Sequence, residues 1–180
     1  MIDIIANRYA EALFQLSEDE NITKEIYNEL HNVVETVKNN KDLDNVLRSP
    51  LVAKIEKVKL IESLFNNKIN NNLKNFLKIL VEKGRISSLK SIELTFKQLL
   101  NDKNNIIEGT VISAIPLTDE KVKELEGKLS KKYNKNVTLE NKVDQSILGG
   151  VLVRLGNTQI DGSVKTRLDN IKDQLSQVIS

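Results

Sequence analysis

His31 is the only imidazole in this chain and no cysteine accompanies it, so nucleophilic and thiolate chemistry have almost nothing to work with. It lies beside Asn32 in a helical stretch, away from any Ser, Asp and Gly arrangement that would build a triad. A metal would have to be held by carboxylates alone, and the Asp and Glu residues fall on what read as solvated helix faces. Phosphate-cradling loops fail a direct search, since neither G-x-x-x-x-G-K-[ST] nor a strand followed by G-x-G-x-x-G occurs. Gly149, Gly150 and Gly156 flank a predicted strand instead of opening a helix, which is hairpin geometry. Asp161-Gly162-Ser163 reads as a turn with Ser163 as N-cap of a following helix, the acidic residue belonging to the cap. Arg85, next to Gly84, is either an exposed binding charge or a helix-end charge facing free carbonyls. The expectation is a chain without catalytic residues, metal or cofactor.

The elements that would position these groups change character along the chain. Through about Asn101 the apolar residues recur at helical spacing. Ile2, Ala6, Tyr9, Ala10, Leu13 and Leu16 form one stripe, and Ile22, Ile26, Leu30, Val33 and Val37 a second. A short third helix ends near Leu47, stopped by Ser49-Pro50. Val58, Ile61, Leu64 and Phe65 mark a fourth, and Ile69, Leu73, Phe76, Leu77 and Leu80 a fifth that ends at a left-handed Gly84. Leu89, Ile92, Phe96, Leu99 and Leu100 make a sixth. Short polar connections require each stripe to be buried against its neighbours, which predicts a helical bundle over residues 1–104. The Asn- and Lys-rich runs at 38–41 and 66–72 read as solvated connections.

After Asp102-Lys103-Asn104-Asn105 the pattern becomes that of strands. Residues 106–114 are rich in β-branched side chains, and Pro116 and Thr118 introduce a helix with Asp119 and Glu120 in its first turn and Lys131 and Lys132 in its last. Its apolar face is Val122, Leu125 and Leu129. Residues 137–143 give a second strand. Val151, Val153 and Leu155, alternating with Leu152 and Arg154, give a third, and Gly156-Asn157 turns it into a fourth over residues 158–160. A final helix carries Val164, Leu168, Ile171, Leu175 and Val178. The fold class expected is α+β: a six-helix N-terminal bundle, then a small mixed sheet with flanking helices over residues 105–180, in the order β-α-β-β-β-α.

Composition agrees with a non-enzyme. Hydrophobic residues make up 39%, enough for real cores, yet no apolar run approaches the ~20 residues that cross a bilayer. The N-terminus lacks a basic region followed by an apolar core, so the expectation is a cytoplasmic protein without a secretory signal. A net charge of +2 and an aromatic content of 4% argue against nucleic acid, and Lys54, Lys57 and Lys59 are interleaved with Glu56 and Glu62 as on an ordinary solvated face.

The segments ANRYAEALFQL at 6–16, LRSPLVAKIEKVKLIESLF at 47–65, NFLKILVEKGR at 75–85, GTVISAIPLTDEKVKELEGKL at 109–129 and VDQSILGGVLVRLGNTQIDGSVKTRL at 143–168 resemble, in order and spacing, the ATP synthase delta-subunit family, the bacterial relatives of the oligomycin-sensitivity-conferring protein. Gln145 stands where that family often has proline, and Asn157 where an acidic residue is common. The resemblance implies a non-catalytic stator connector. Its N-terminal bundle would bind the amphipathic N-terminal segment of an alpha subunit between the first and fifth helices. Its C-terminal part would join the b subunits of the peripheral stalk. Carried onto this sequence, Tyr9, Ala12, Leu13, Leu73, Leu77 and Leu80 become the groove candidates, and residues 164–178 with the adjoining hairpin the stalk side. It further implies a peripheral location at the cytoplasmic face of the cell membrane, reached only through the complex. The rival reading is a soluble adaptor or RNA-binding module that uses the β-α-β-β-β-α half as its surface.

Overall fold

The computed structural model describes residues 4–65, 68–147, 149–156, 158–166 and 168. The chain divides into two compact units, Met1–Leu100 and Asn101–Ser180. The first is built from α1 (Ile4–Asp19), α2 (Thr23–Asn39), α3 (Lys41–Arg48), α4 (Lys54–Phe65), α5 (Asn71–Glu82), a 3₁₀ turn at Ile86–Ser88, and α6 (Leu89–Lys103). The division falls inside α6, just before the change in hydrophobic pattern at residues 102–105.

The bundle core is the convergence of the predicted stripes. Ala6, Ala10, Leu13 and Phe14 meet Ile26, Leu30 and Val33, Leu73, Leu77 and Leu80, and Ile92 and Phe96, all buried. Phe14 packs edge-on against Phe96 with ring centroids 5.4 Å apart, and Tyr27 stacks on the other side of the same cluster at 6.4 Å. Leu16 corrects the first stripe: it is 42% exposed, and Ser17 is buried in its place with its hydroxyl donating to the Phe14 carbonyl at 2.7 Å. At about 100° per residue, Ala6, Ala10, Leu13 and Ser17 share a face from which Leu16 is turned away.

The connections are tighter than solvated linkers. Asn40 closes α2 and caps α3 at once, its side-chain oxygen accepting from the Leu43 amide at 3.3 Å. Asn70 caps α5 in the same manner through the Asn72 amide at 2.9 Å. The runs at 38–41 and 70–72 are therefore helix ends and caps. Gly84 has φ +66°, its amide bonds the Val81 carbonyl, and the Arg85 amide reaches back to the Leu80 carbonyl at 2.7 Å. That pair of bonds is a Schellman motif, and it leaves Arg85 at the mouth of the turn into the 3₁₀ segment.

The second unit holds β1 (Ile106–Ser113), α7 (Asp119–Tyr133), β2 (Asn136–Val143), β3 (Val151–Leu155) and β4 (Thr158–Asp161) in one sheet of order β2-β1-β3-β4. β1 runs parallel to β2, with α7 as the crossover, and antiparallel to β3, so the sheet is mixed. Val111, Val137, Val153, Leu155 and Leu129 form its core, with Leu125 and Tyr133 of α7 packed alongside. Thr118 occupies the N-cap of α7, but its side chain makes no capping bond; the acidic first turn and basic last turn supply the dipole match instead. Asn141 ties β2 to the β1–α7 connection, donating to the Val111 carbonyl and the Ser113 hydroxyl while accepting from the Leu117 amide at 3.0 Å.

Val164–Thr166 and Leu168 are helical. Ile171, Leu175 and Val178 of the predicted last stripe, together with Ile2 and Asn157, lie outside the described residues. Among the described residues no helix is long and apolar enough to cross a membrane.

Candidate partner-binding groove

A second, outward stripe runs along α1 beside its buried one. Ile4, Arg8 and Ala12 follow one another at four-residue spacing, and Ile5 and Tyr9 do the same one position on. With Arg85 from the Schellman turn after α5, these six residues line an open groove of about 400 Å³. Ile4 and Ala12 are exposed, and Ile5 and Tyr9 are half-buried. The Tyr9 ring is steadied edge-on by Phe76 of α5, with centroids 6.2 Å apart. Arg8 and Arg85 both present exposed guanidinium groups, and among the described residues neither is paired with a carboxylate. The groove therefore offers an apolar floor with two cations that have no carboxylate partner among the described residues.

The six residues singled out from sequence divide between groove and core. Tyr9 and Ala12 line the groove. Leu13, Leu73, Leu77 and Leu80 have relative exposures of 0 to 2% and lie in the bundle core, outside the lining of this groove. Ile4, Ile5, Arg8 and Arg85 complete the lining; the first three belong to the i, i+4 series next to the buried stripe of α1, and Arg85 is the residue whose role the sequence left open between a binding charge and a helix-end charge.

His31 has a structural role. Its Nδ1 lies 3.1 Å from Oε1 of Glu93, a carboxylate only 8% exposed, and its ring stacks on Tyr27 with centroids 6.1 Å apart. A proton on Nδ1 lets the imidazole donate to that carboxylate and joins α2 to α6. His31→Ala leaves a buried carboxylate without this partner, and a loss of about 1–3 kcal/mol is expected in urea unfolding. Glu93→Gln, which removes the charge together with the need for a donor, should cost less.

Asp161 is likewise a turn residue. Its carboxylate accepts from the Ser163 amide and the Thr166 hydroxyl, each at 2.8 Å, while Ser163 Oγ accepts from the Thr166 amide at 3.3 Å as an N-cap. The Ser163 backbone bond, followed by the Ser163 and Thr166 side chains, holds the Asp161 carboxyl below its ordinary value. A lowered folded value means that the turn is stabilised above the ordinary aspartate range and loses this contribution as pH falls through the folded value. Amide resonances of Ser163 and Thr166 should therefore shift together in an acid titration, with a midpoint below the ordinary aspartate value.

The family described as ATP synthase delta (OSCP) subunit matches residues 5–175. The chain is 61% identical over 181 residues to ATP synthase subunit delta of Clostridioides difficile (strain 630), covering all of both chains. It is 37% identical to ATP synthase subunit delta of Alkaliphilus metalliredigens (strain QYMF), covering 99% of each. Among solved structures it superposes on a chain of the Toxoplasma gondii mitochondrial ATP synthase hexamer with a TM-score of 0.70 and 25% identity, covering 96% of this chain and 98% of that one.

Proposed function

This chain belongs to the ATP synthase delta (OSCP) subunit family and serves as a stator connector of that assembly, and we propose that it does so by holding two different partners through its two units. The first is the amphipathic N-terminal segment of an alpha subunit, seated in the α1 groove. The observation that carries this reading is the apolar strip of Ile4, Ile5, Tyr9 and Ala12, exposed at Ile4 and Ala12 and half-buried at Ile5 and Tyr9, lying beside the α1 stripe that the bundle has already buried. A helix laid along that strip would bury its own i, i+3/i+4 and i+7 residues. The guanidiniums of Arg8 and Arg85, which have no carboxylate partner among the described residues, favour a segment whose apolar ridge is flanked by acidic side chains.

The second partner is the peripheral stalk, built from b subunits. Val164 and Leu168 at the start of the last helix are 43% and 57% exposed, and Ile115 and Val143 in the same unit are 70% and 48% exposed, which leaves apolar side chains available there. The Val164 amide donates to the Gly149 carbonyl and the Thr166 hydroxyl to the Asp161 carboxylate, so the hairpin and the helix start are held together as one surface.

No bond chemistry is required. The connector resists the torque that the turning central shaft exerts on the catalytic head, and it sits peripherally at the cytoplasmic face of the membrane through the complex alone. Affinity at each end comes from apolar burial, at roughly 25 cal/mol per Å² over about 800 Å² per partner, less the cost of ordering the partner segment. Because both attachments belong to one assembly, each raises the effective concentration of the other and moderate sites suffice. The test is titration of the full chain with a synthetic peptide of the alpha N-terminal segment from the same organism. Saturable binding that shifts the Tyr9 and Ala12 resonances and weakens only modestly with salt is expected. Absence of binding, or binding that collapses with salt as nucleic-acid contacts do, would count against it.

A further inference from the structure

A second concavity in the first unit takes no part in the groove described above. It lies where α2, α3 and α6 converge and encloses about 240 Å³. Its floor is Val34, Leu47 and Leu89, all buried, with Val37 and the 3₁₀ residue Ile86 as half-buried walls. The rim is charged and of one dominant sign, with Lys38 from α2, Arg48 from α3 and Lys90 from α6. Asp44 is the one carboxylate in the lining, and Arg48 Nε already lies 2.6 Å from it. Lys38 lies 2.8 Å from Glu35. Lys90 is left with no carboxylate at ion-pair distance among the described residues, although its charge adds to the hydrogen bond from Lys38 in holding the Glu35 carboxyl below its ordinary value.

We propose that this cavity is a binding site for a small amphiphilic monocarboxylate, its apolar body against Val34, Leu47 and Leu89 and its carboxylate at Lys90. Charge complementarity fixes the head group. Two of the three cations have carboxylate partners and one does not, so the rim accommodates a single negative charge and leaves a neutral or cationic head unsatisfied. The floor fixes the body, since a fully polar anion would give up its own hydration against five apolar side chains that offer no hydrogen bond in return. Size fixes the scale, because the volume falls below the roughly 300–1,000 Å³ of pockets for drug-sized ligands.

Octanoate, below its micelle concentration, is the probe, and octanol is the neutral compound of the same chain length. Methyl resonances of the full chain are followed during titration at low salt. Octanoate should shift the Val34, Val37 and Leu89 methyls saturably, with octanol binding at least about tenfold more weakly. Lys90→Glu, an exchange at an exposed position, should weaken octanoate about tenfold while leaving the melting temperature unchanged, and Lys38→Glu should act in the same direction. Equal affinity for octanol and octanoate, an unaltered affinity in Lys90→Glu, or unmoved Val34 and Leu89 methyls at the top of the titration would each overturn the assignment. None of these readouts involves Tyr9 or Ala12, so failure here leaves the stator reading untouched.

Discussion

Gly150→Ala is expected to produce a large loss of stability in the second unit. Gly150 has φ +82°, and an added Cβ would stand 2.4 Å from the Gly162 carbonyl oxygen and 2.9 Å from the Ser163 Cα. Both obstacles are backbone, so neither can rotate aside. The left-handed conformation costs a residue with a Cβ about 1–2 kcal/mol, and overpacking adds roughly 1–3 kcal/mol. A total near 3 kcal/mol is therefore expected. The displaced segment includes the Gly162 amide bonded to the Val151 carbonyl and the Val164 amide bonded to the Gly149 carbonyl, which tie the hairpin to the last helix. Hydrogen exchange should consequently speed up at Val151, Gly162 and Val164 while α1 to α5 keep their protection. Gly84→Ala supplies the control. It is also left-handed, at φ +66°, but has nothing within 4 Å of the added Cβ, and only the conformational cost of about 1–2 kcal/mol should appear. Equal losses in the two variants would mean that the Gly150 contact is not a steric limit.

Leu77→Ala and Tyr9→Ala should separate stability from recognition on the same pair of helices. Leu77 is 1% exposed in the bundle core, so its truncation opens a cavity and should lower unfolding stability by about 2–5 kcal/mol. The surviving folded molecules retain the groove, and their affinity for the alpha segment should change little. Tyr9 lies at the groove with one edge against Phe76. Its truncation should cost little stability but about 2 kcal/mol of binding, close to thirtyfold in affinity, as for a central aromatic anchor. Ala12→Trp, which fills the floor, should abolish peptide binding in a protein that still folds. If Leu77→Ala at full folding lost affinity as heavily as Tyr9→Ala, the partner would have to reach the core.

Element type was legible wherever an apolar period ran unbroken, which is why all the strands and the helices before them lie near their expected places. Side-chain roles were less legible, for physical reasons. The spacing of Leu73, Leu77 and Leu80 shows that they share a face, but periodicity assigns no direction to that face until the neighbouring helices are placed. Arg8 and Arg85 are far apart in sequence and meet at one groove only because the Schellman turn brings the chain back after α5. Asn40 and Asn70 read as solvent-loving filler in Asn-rich runs, whereas each supplies the acceptor that starts a helix. Nothing in the strand sequence IIEGTVIS marks Gly109, where an added Cβ would come within 2.6 Å of the Arg154 carbonyl oxygen. Such an approach depends on the register between β1 and β3, and register is a property of the pair.

The strand order β2-β1-β3-β4 has a consequence for synthesis on the ribosome. β1 is made first, yet both of its neighbours are made later, at Asn136–Val143 and Val151–Leu155. While α7 is being translated, a segment rich in isoleucine and valine has no ladder to join and both of its edges are open. The nascent chain thus passes through an interval in which β1 is its adhesive segment, and a holding chaperone acting on this protein has its most natural target there.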